Sequence, residues 1–214
     1  MLGRNDRVVD AATGTDLLVI ATPDASIGPV AASIDPVPAT VVAHLAGSLG
    51  LDVLAGHARR AAIHPLVSLP DPEIGAKRLA HDAWFALAGD PIGQRVVADL
   101  GGQWFAVADE DRAFYHAAAA IASNHLVALM GQVERLAHGI GVPSEAYLDL
   151  ARATLDNVAE LGASAALTGP AARGDWATIA RHLAALDPAE ADAYRAMARA
   201  ARRLVDEDGV PDDL

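Results

Sequence analysis

The feature that most constrains the fold is a change of sequence pattern near Asp109. Before this residue, short apolar runs alternate with turn residues, whereas the chain after it is rich in alanine and shows long helical patterns. Strand-length apolar runs separated by helical segments are typical of an α/β layer, and continuous helical periodicity is typical of an all-α domain. The sequence therefore predicts an α/β domain over residues 1–108, a helical domain over residues 109–206 and a frayed acidic tail over residues 207–214.

The first domain contains five runs that are long enough and apolar enough to be strands. They cover residues 16–21, 40–43, 61–63, 83–87 and 103–107. Helical patterns lie between them at residues 25–34, 49–59, 73–80 and 91–100. The first run does not alternate between apolar and polar residues, which suits a strand buried on both faces of a parallel sheet. Strands that alternate with helices predict right-handed crossover connections.

The second domain begins with one long helical pattern over residues 111–138. Asp109, Glu110 and Asp111 lie at its start, where carboxylates favour a helix, and Gly139 lies at its end. Further helices are predicted over residues 144–161, 175–186 and 188–205, with Asp175 as the cap of the third helix of this domain.

Composition and charge exclude several classes of partner and site. The net charge of −12 argues against binding to nucleic acid or to an anionic membrane surface. Cysteine is absent, which excludes disulfides and thiolate chemistry, and the spacing of the eight histidines predicts no metal site. No apolar run approaches ~18 residues, so we expect no membrane-spanning helix. The start of the chain is too polar for a signal peptide, and we expect a cytoplasmic protein.

Three consecutive strands end in residues that suit a ligand site. The sequences are ATPD at residues 21–24, HLAGSLG at residues 44–50 and IHPL at residues 63–66. Ligands of open α/β sheets bind beyond the carboxyl ends of the strands. Each sequence could equally be an ordinary strand-to-helix turn, and both interpretations stay open. No GxGxxG sequence follows the first run, so a phosphate cradle is not expected there.

Polar and small side chains share one face of the long helix. At ~100° per residue this face carries His116, Ala120, Ser123, Val127, Gly131 and Glu134, with Asn124 at its flank. His116 could act as an acid or base, and Ser123 and Asn124 could orient a carbonyl or hydroxyl group. These side chains could instead contact backbone or water between helices. Tyr115 points elsewhere, so a catalytic tyrosine–histidine pair is not expected.

Five sequence segments, taken in order, resemble one protein family. They are DLLVIATPD, HLAGSLGLDVL, IHPL, EDRAFYHAAAAIASNHLVAL and LTGPAARGD. The family is a group of Rossmann-like plus helical proteins, often labelled as a domain of unknown function, within the 6-phosphogluconate dehydrogenase-like superfamily. Its relatives include ketopantoate reductase, pyrroline-5-carboxylate reductase and prephenate dehydrogenase. Members normally begin with a glycine-rich βαβ unit, and this chain is expected to start after that unit, with a partial, N-terminally truncated Rossmann-like sheet.

The resemblance also implies a cofactor, partners and site residues. The cofactor would be NADP or NAD, bound weakly or not at all without the glycine-rich loop, and the partners a small-molecule substrate and a second copy bound through the helical domain. Cofactor-binding residues would be Ala21, Thr22, Pro23 and His44. Substrate-binding residues would be Ser48, His64 and Arg173. Catalytic residues would be His116, Ser123 and Asn124. Many relatives have a lysine one turn before the asparagine; that position is Ala120 here, so His116 is the available proton donor.

These roles predict an NAD(P)-dependent oxidoreductase that acts on a small oxo or hydroxy acid, with ketopantoate reductase as the most concrete comparison. The enzyme would be inactive if the glycine-rich loop is truly absent. The alternative is a non-catalytic paralogue that serves as a dimeric scaffold or binds a small ligand.

Overall fold

The computed structural model describes Gly3 and residues 6–206, and in these residues the first half of the chain forms one five-stranded sheet. The strands are β1 (Leu17–Ile20), β2 (Val41–His44), β3 (Arg59–Pro65), β4 (Trp84–Gly89) and β5 (Gln103–Ala106), and they lie in sequence order. All five predicted strands are confirmed.

The sheet is mixed, because one pair of neighbouring strands is antiparallel. β1, β2 and β3 are parallel to one another, β4 is antiparallel to β3, and β5 is parallel to β4. The prediction of crossover connections throughout is therefore wrong between β3 and β4. The Leu66 N–H, directly after β3, donates to the Trp84 carbonyl at the start of β4 (2.8 Å). β4 thus begins beside the end of β3, and the chain returns along it without crossing the sheet.

Three helices of this part follow the predicted positions: α1 (Asp24–Ala32), α2 (Pro72–Leu79) and α3 (Ile92–Asp99). The helix predicted over residues 49–59 is wrong, since only a short 3₁₀ turn, Leu51–Leu54, forms there. Gly50 is extended and the Leu51 N–H is bonded to the distant Asp109 carboxylate (2.8 Å). These long-range contacts fix the segment in a loop conformation that helix periodicity cannot reveal.

Two apolar clusters cover the two faces of the sheet. One contains Val41, Ala43, Ala61, Ile63, Ala83, Phe85, Leu87, Ile92 and Val97. The other contains Ala12, Ile20, Ile27, Ala31, Ile34, Val42, Ala46 and Leu54. Every residue of β2 is buried. In β1, by contrast, Val19 is 41% exposed, so the predicted burial on both faces is wrong for that strand. Among the described residues β1 has a neighbour on one side only.

The long helix has three parts: α4 (Arg112–Ala120), a π-helical segment Ile121–His125 and α5 (Leu126–Gly139). The remaining helices are α6 (Ser144–Leu161), α7 (Ala163–Ala166), α8 (Pro170–Arg173), α9 (Trp176–Ala185) and α10 (Pro188–Arg203). The Asp175 carboxylate accepts from the Thr178 N–H (3.0 Å), which confirms it as the cap of α9. The predicted tail, residues 207–214, lies outside the described residues.

The chain forms two compact units, which divide between Leu126 and Val127. The second unit has its own small core of Ala171, Ile179 and Ala198. No strand occurs between Ala106 and residue 206. The domain boundary at residues 108/109 stays a prediction.

The π-helical segment changes which residues share a face of the long helix. A π turn closes i→i+5 hydrogen bonds and holds about one more residue than an α turn. Residues after the segment are therefore rotated by about 100° relative to a regular α-helix. The predicted polar face, which counted 3.6 residues per turn from His116 to Glu134, is wrong beyond Ser123.

The helical stretch Asp109–Gly139 is long and apolar enough, by length and composition alone, to cross a membrane. The expectation of no membrane-spanning helix came from the lack of an unbroken apolar run, and this finding of length and composition does not contradict it. Alanine, leucine and valine give the stretch its high mean hydropathy, although polar residues separate the apolar runs. Core helices of soluble proteins meet the same criterion, but they are mostly buried, whereas no residue of the apolar window in this stretch is buried.

Candidate functional site

A cluster of rings lies where β3 ends and α4 begins. The Tyr115 hydroxyl lies 2.7 Å from Nδ1 of His64, and the two rings meet edge to face with centroids 5.6 Å apart. Tyr115 also packs against Phe105, at 5.8 Å between centroids. The register pairs His64 with Ala86 and Ala86 with Phe105. The small Ala86 side chain between the two rings leaves room for Tyr115 to contact both.

His116 packs against the same imidazole. Its ring centroid is 5.9 Å from that of His64, at an interplanar angle of 79°. Two consecutive residues of α4 thus touch one ring at the end of β3. The structure corrects the expectation for Tyr115, which was placed away from the site and does form a hydrogen-bonded pair with a histidine. The partner is His64, which is distant in sequence.

Gly47, in the loop that follows β2, packs directly against the two histidines. A Cβ atom at this position would lie 2.5 Å from Cδ2 of His116 and 2.8 Å from Nε2 of His64. These distances are well below van der Waals contact, so no side chain fits here without moving an imidazole. Nε2 of His64 therefore faces the backbone of the loop, while Nδ1 faces Tyr115.

His44 organises residues 45–50, which we call the 45–50 loop. The Ala46 N–H donates to Nδ1 of His44 (3.2 Å), so Nε2 carries the proton and donates to the Gly50 carbonyl (3.2 Å). The ring is fully buried, and burial lowers its pKa. Both nitrogens are occupied by loop backbone. We therefore expect any contribution of His44 to cofactor binding to act through the loop.

Two carboxylates fasten the loop from outside. Asp109 accepts the Leu51 N–H (2.8 Å). Asp24, at the start of α1, accepts from the Ser48 hydroxyl (3.1 Å). Neither Asp109 nor Asp111 makes a capping hydrogen bond at the start of the long helix, in contrast to the prediction for these acidic residues. Asp109 instead joins the helix to the end of the loop.

Arg112 is a site residue that sequence reasoning missed. Its side chain is 0% exposed. Nη1 donates to the Ala46 carbonyl at 3.4 Å, and Nε lies 3.8 Å from the Asp109 carboxylate, too far for a hydrogen bond. Nε and Nη2 have no hydrogen-bond partner among the described residues. The i, i+3 spacing of Asp109 and Arg112 was visible in the sequence, but nothing there indicated burial.

The electrostatics of the cluster keep His64 neutral. Burial, followed by the positive charges of His116 and Arg112, lowers the pKa of the His64 imidazole to about 4, against an opposing effect of Asp24. Burial raises the pKa of the Tyr115 phenol, with Arg112 opposing it. At neutral pH the pair is therefore a protonated phenol beside an uncharged imidazole.

The remaining predicted residues lie in three places. Ala21, Thr22 and Pro23 follow β1, and the Thr22 hydroxyl is buried without a hydrogen-bond partner among the described residues. Ser123, half-buried, and Asn124, exposed, lie in the π-helical segment. π turns occur frequently at functional sites. Arg173 is exposed at the end of α8, in the second unit.

A nicotinamide cofactor fits part of this site. The orphaned Thr22 hydroxyl and the backbone beside it, at the carboxyl end of β1, suit the polar groups of a ribose or a carboxamide. In the part of the chain that the structure describes, no strand is followed by a glycine-rich phosphate loop. The same residues contain no group of three potential metal ligands.

Solved structures share the fold of this chain. Protein TM1727 from Thermotoga maritima is 26% identical, with a TM-score of 0.71 over 88% of this chain and 78% of that one. BF3122 from Bacteroides fragilis, a candidate NADP oxidoreductase, is 21% identical, with a TM-score of 0.74 over 92% and 80%. A reductive aminase from Aspergillus terreus in complex with NADPH and ethyl levulinate is 17% identical, with a TM-score of 0.56 over 96% and 72%.

The family model covers both the end of the sheet and the helices. A search of the curated proteins gives no match. A family model, described as domain of unknown function DUF2520, matches residues 86–201, more than half of the chain. The Rossmann-like plus helical family predicted from the sequence is confirmed, and the chain belongs to the DUF2520 family.

Proposed function

We propose that this protein is an NAD(P)-dependent oxidoreductase that acts on a small oxo or hydroxy acid, with ketopantoate reductase as the most concrete comparison. The observation that carries the proposal is the neutral His64 imidazole, held between Tyr115 and His116 at the carboxyl end of β3. Similarity of fold to a candidate NADP oxidoreductase and to an NADPH-bound reductive aminase supports the choice of cofactor.

The cluster can handle the proton of such a reaction. When bound, the nicotinamide supplies or accepts the hydride. A neutral imidazole carries one proton, so Nε2 of His64 is a donor whenever Tyr115 donates to Nδ1. Nε2 can then hold the reacting oxygen of the substrate, or its carboxylate. His116, which packs against the His64 ring, would protonate the oxygen as negative charge develops there.

Other residues would position the two ligands. Thr22 and its neighbours Ala21 and Pro23 would contact the ribose and nicotinamide side of the cofactor. The Ser48 hydroxyl, oriented by Asp24, would hold the substrate oxygen together with Asn124 and Ser123. Arg173 would bind the carboxylate of the substrate, since a guanidinium suits planar bidentate recognition.

The assembly and location follow from the same proposal. We place the enzyme in the cytoplasm as a homodimer formed through its helical part, with no nucleic-acid or membrane partner. Helix α6 supports the dimer, because no residue of this 18-residue helix is buried and five of its large apolar side chains are exposed: Leu148, Leu150, Leu155, Val158 and Leu161. Exposed apolar faces of this kind mark protein interfaces.

The test is a fluorescence titration with NADPH, followed by turnover of a panel of 2-oxo acids by the wild type and by His116→Ala. We expect saturable NADPH binding and a fall in kcat of about 100-fold for His116→Ala, with the affinity for NADPH changed by less than about 3-fold. His125→Ala is the matched control, since His125 is exposed on the same long helix and should turn over like the wild type.

Two results would contradict the proposal. Lack of saturation by NADPH at millimolar concentration would remove the enzymatic function and favour the scaffold or ligand-binding alternative. Unchanged turnover in His116→Ala would exclude this residue as the proton donor.

A further inference from the structure

We propose that Arg112 is a positioning residue for the chemistry described above: its buried guanidinium, together with Asp109, holds the 45–50 loop so that Gly47 stays packed against His64 and His116. This role rests on the proposed function for its catalytic meaning, but its structural basis is independent of any cofactor. Neither the sequence pattern nor the resemblance pointed to this residue.

The contacts of Arg112 define the first step. The residue opens α4, directly after the turn that carries Asp109, and its Nη1 reaches the Ala46 carbonyl at 3.4 Å. Asp109 accepts the Leu51 N–H at the other end of the loop. The first turn of the long helix therefore binds the backbone on both sides of Gly47: the Arg112 guanidinium contacts the Ala46 carbonyl, and the Asp109 carboxylate accepts the Leu51 N–H.

Gly47 is the residue through which these contacts affect the two histidines. Gly47 follows Ala46 in the chain, and the space for its Cβ is already filled by the imidazoles of His64 and His116. A shift of the Ala46 carbonyl by even a fraction of an ångström must move Gly47 against, or away from, these rings. Arg112 thus controls how closely Gly47 packs against the two imidazoles, although it makes no hydrogen bond to either histidine.

The charge of Arg112 acts on the same ring. His64 faces the charged or titratable groups of Tyr115, His116, Arg112, Asp24 and His44. The Arg112 cation is one of the groups that lower the pKa of His64. Loss of the guanidinium should therefore both loosen the loop and make protonation of His64 easier. A residue with a merely structural role would not alter the titration of His64 in a protein that remains folded.

Burial of Arg112 also predicts an unusual effect on stability. A fully buried guanidinium with two unpartnered nitrogens is costly to desolvate, and replacing such a group with an apolar residue of similar size is often neutral or stabilising. We therefore expect Arg112→Met to stay folded while the site is impaired. Retained stability together with lost positioning would separate this role from that of a simple structural ion pair.

The experiment measures the His64 titration by NMR in the wild type, Arg112→Met and Arg152→Met, with His64→Gln to assign the signal. Arg152 is the matched control, because it is an exposed arginine paired with an acidic residue three positions away. We expect the pKa of His64 to rise from about 4 to about 5 in Arg112→Met, with displaced signals of the Gly47 amide. Arg152→Met should change neither.

An unchanged His64 titration and an unchanged Gly47 amide signal in folded Arg112→Met would overturn the proposal. If Arg112→Met does not fold, Arg112→Lys decides: a displaced Gly47 amide signal supports positioning by the guanidinium, and an unchanged one contradicts it. Neither readout requires cofactor or turnover. A failed NADPH titration would therefore reject the proposed function and leave this result unaffected.

Discussion

The molecule contains two tyrosine–histidine pairs with nearly the same internal geometry. His64 and Tyr115 have 2.7 Å between Nδ1 and the hydroxyl, and their ring centroids are 5.6 Å apart at 83°. In the second unit, Nδ1 of His182 lies 2.6 Å from the Tyr194 hydroxyl, and the two ring centroids are 5.8 Å apart at an interplanar angle of 87°. The pair by itself is therefore not what makes a candidate site.

The surroundings distinguish the two pairs. His64 is half-buried beside a second imidazole, a loop glycine and a buried guanidinium. His182 is exposed on α9, and Tyr194 packs against the small apolar core of the second unit. The comparison teaches that burial, followed by the charges around His64, lowers the pKa of this imidazole.

The largest effect is expected where the pairs differ most, at the loop glycine. Gly47→Ala would force a methyl group into the space of the His64 and His116 rings, and displacement by ~1 Å of a reacting group can cost about 100-fold in rate. We expect kcat/KM to fall by that factor. Gly56→Ala is the control, since its Cβ would meet nothing within 4 Å. Equal activity of the two variants would show that the gap beside Gly47 is not used.

A smaller effect is expected from removing each phenol hydroxyl. Tyr115→Phe and Tyr194→Phe should each lose about 1 kcal/mol of unfolding free energy at most, because each loses one hydrogen bond to a histidine. Only Tyr115→Phe should also lower kcat, by about 10-fold, since it breaks the proton path to His64. Urea unfolding and steady-state turnover measure the two effects. A loss of turnover in both variants would remove the distinction between the pairs.

The smallest effect concerns stability against pH. The unfolded chain takes up a proton at His64 below about pH 6.5, whereas the folded protein resists this until about pH 4. The unfolded state therefore binds more protons in this window, and the free energy of unfolding falls as pH decreases from about 6.5 to about 4. His64→Gln should show a shallower fall than the wild type in urea unfolding at several pH values.

A slope that is the same in His64→Gln and the wild type would mean that the imidazole is not held neutral by the fold.

Secondary structure was largely readable from the sequence because it follows local patterns. The apolar runs predicted all five strands, and the periodicity after Asp109 predicted the long helix, α6 and α10. The antiparallel β4 and the loop at residues 49–59 were missed because both depend on contacts between segments that are distant in sequence. The π-helical segment was missed because a fixed angle of 100° per residue cannot detect one extra residue.

The candidate site was only partly readable, for the same reason. His64 and His116 were singled out by residue type and position, and the structure brings them together. Helix geometry alone places Tyr115 away from the polar face of the long helix, and it cannot show that this side chain contacts His64 at the end of a strand. Arg112 and Gly47 owe their importance to burial and to a close approach across the fold, which no pattern within one segment encodes.

The close approach at Gly47 has a consequence for how this chain can evolve. An alanine there meets two imidazoles at once, so it fits only if the His64 and His116 rings move or become smaller. The effects of the three positions are therefore strongly epistatic, and the order of change is constrained. We therefore expect homologues with both histidines to have glycine at position 47. We expect a larger residue at this position mainly in homologues in which His64 or His116 is replaced.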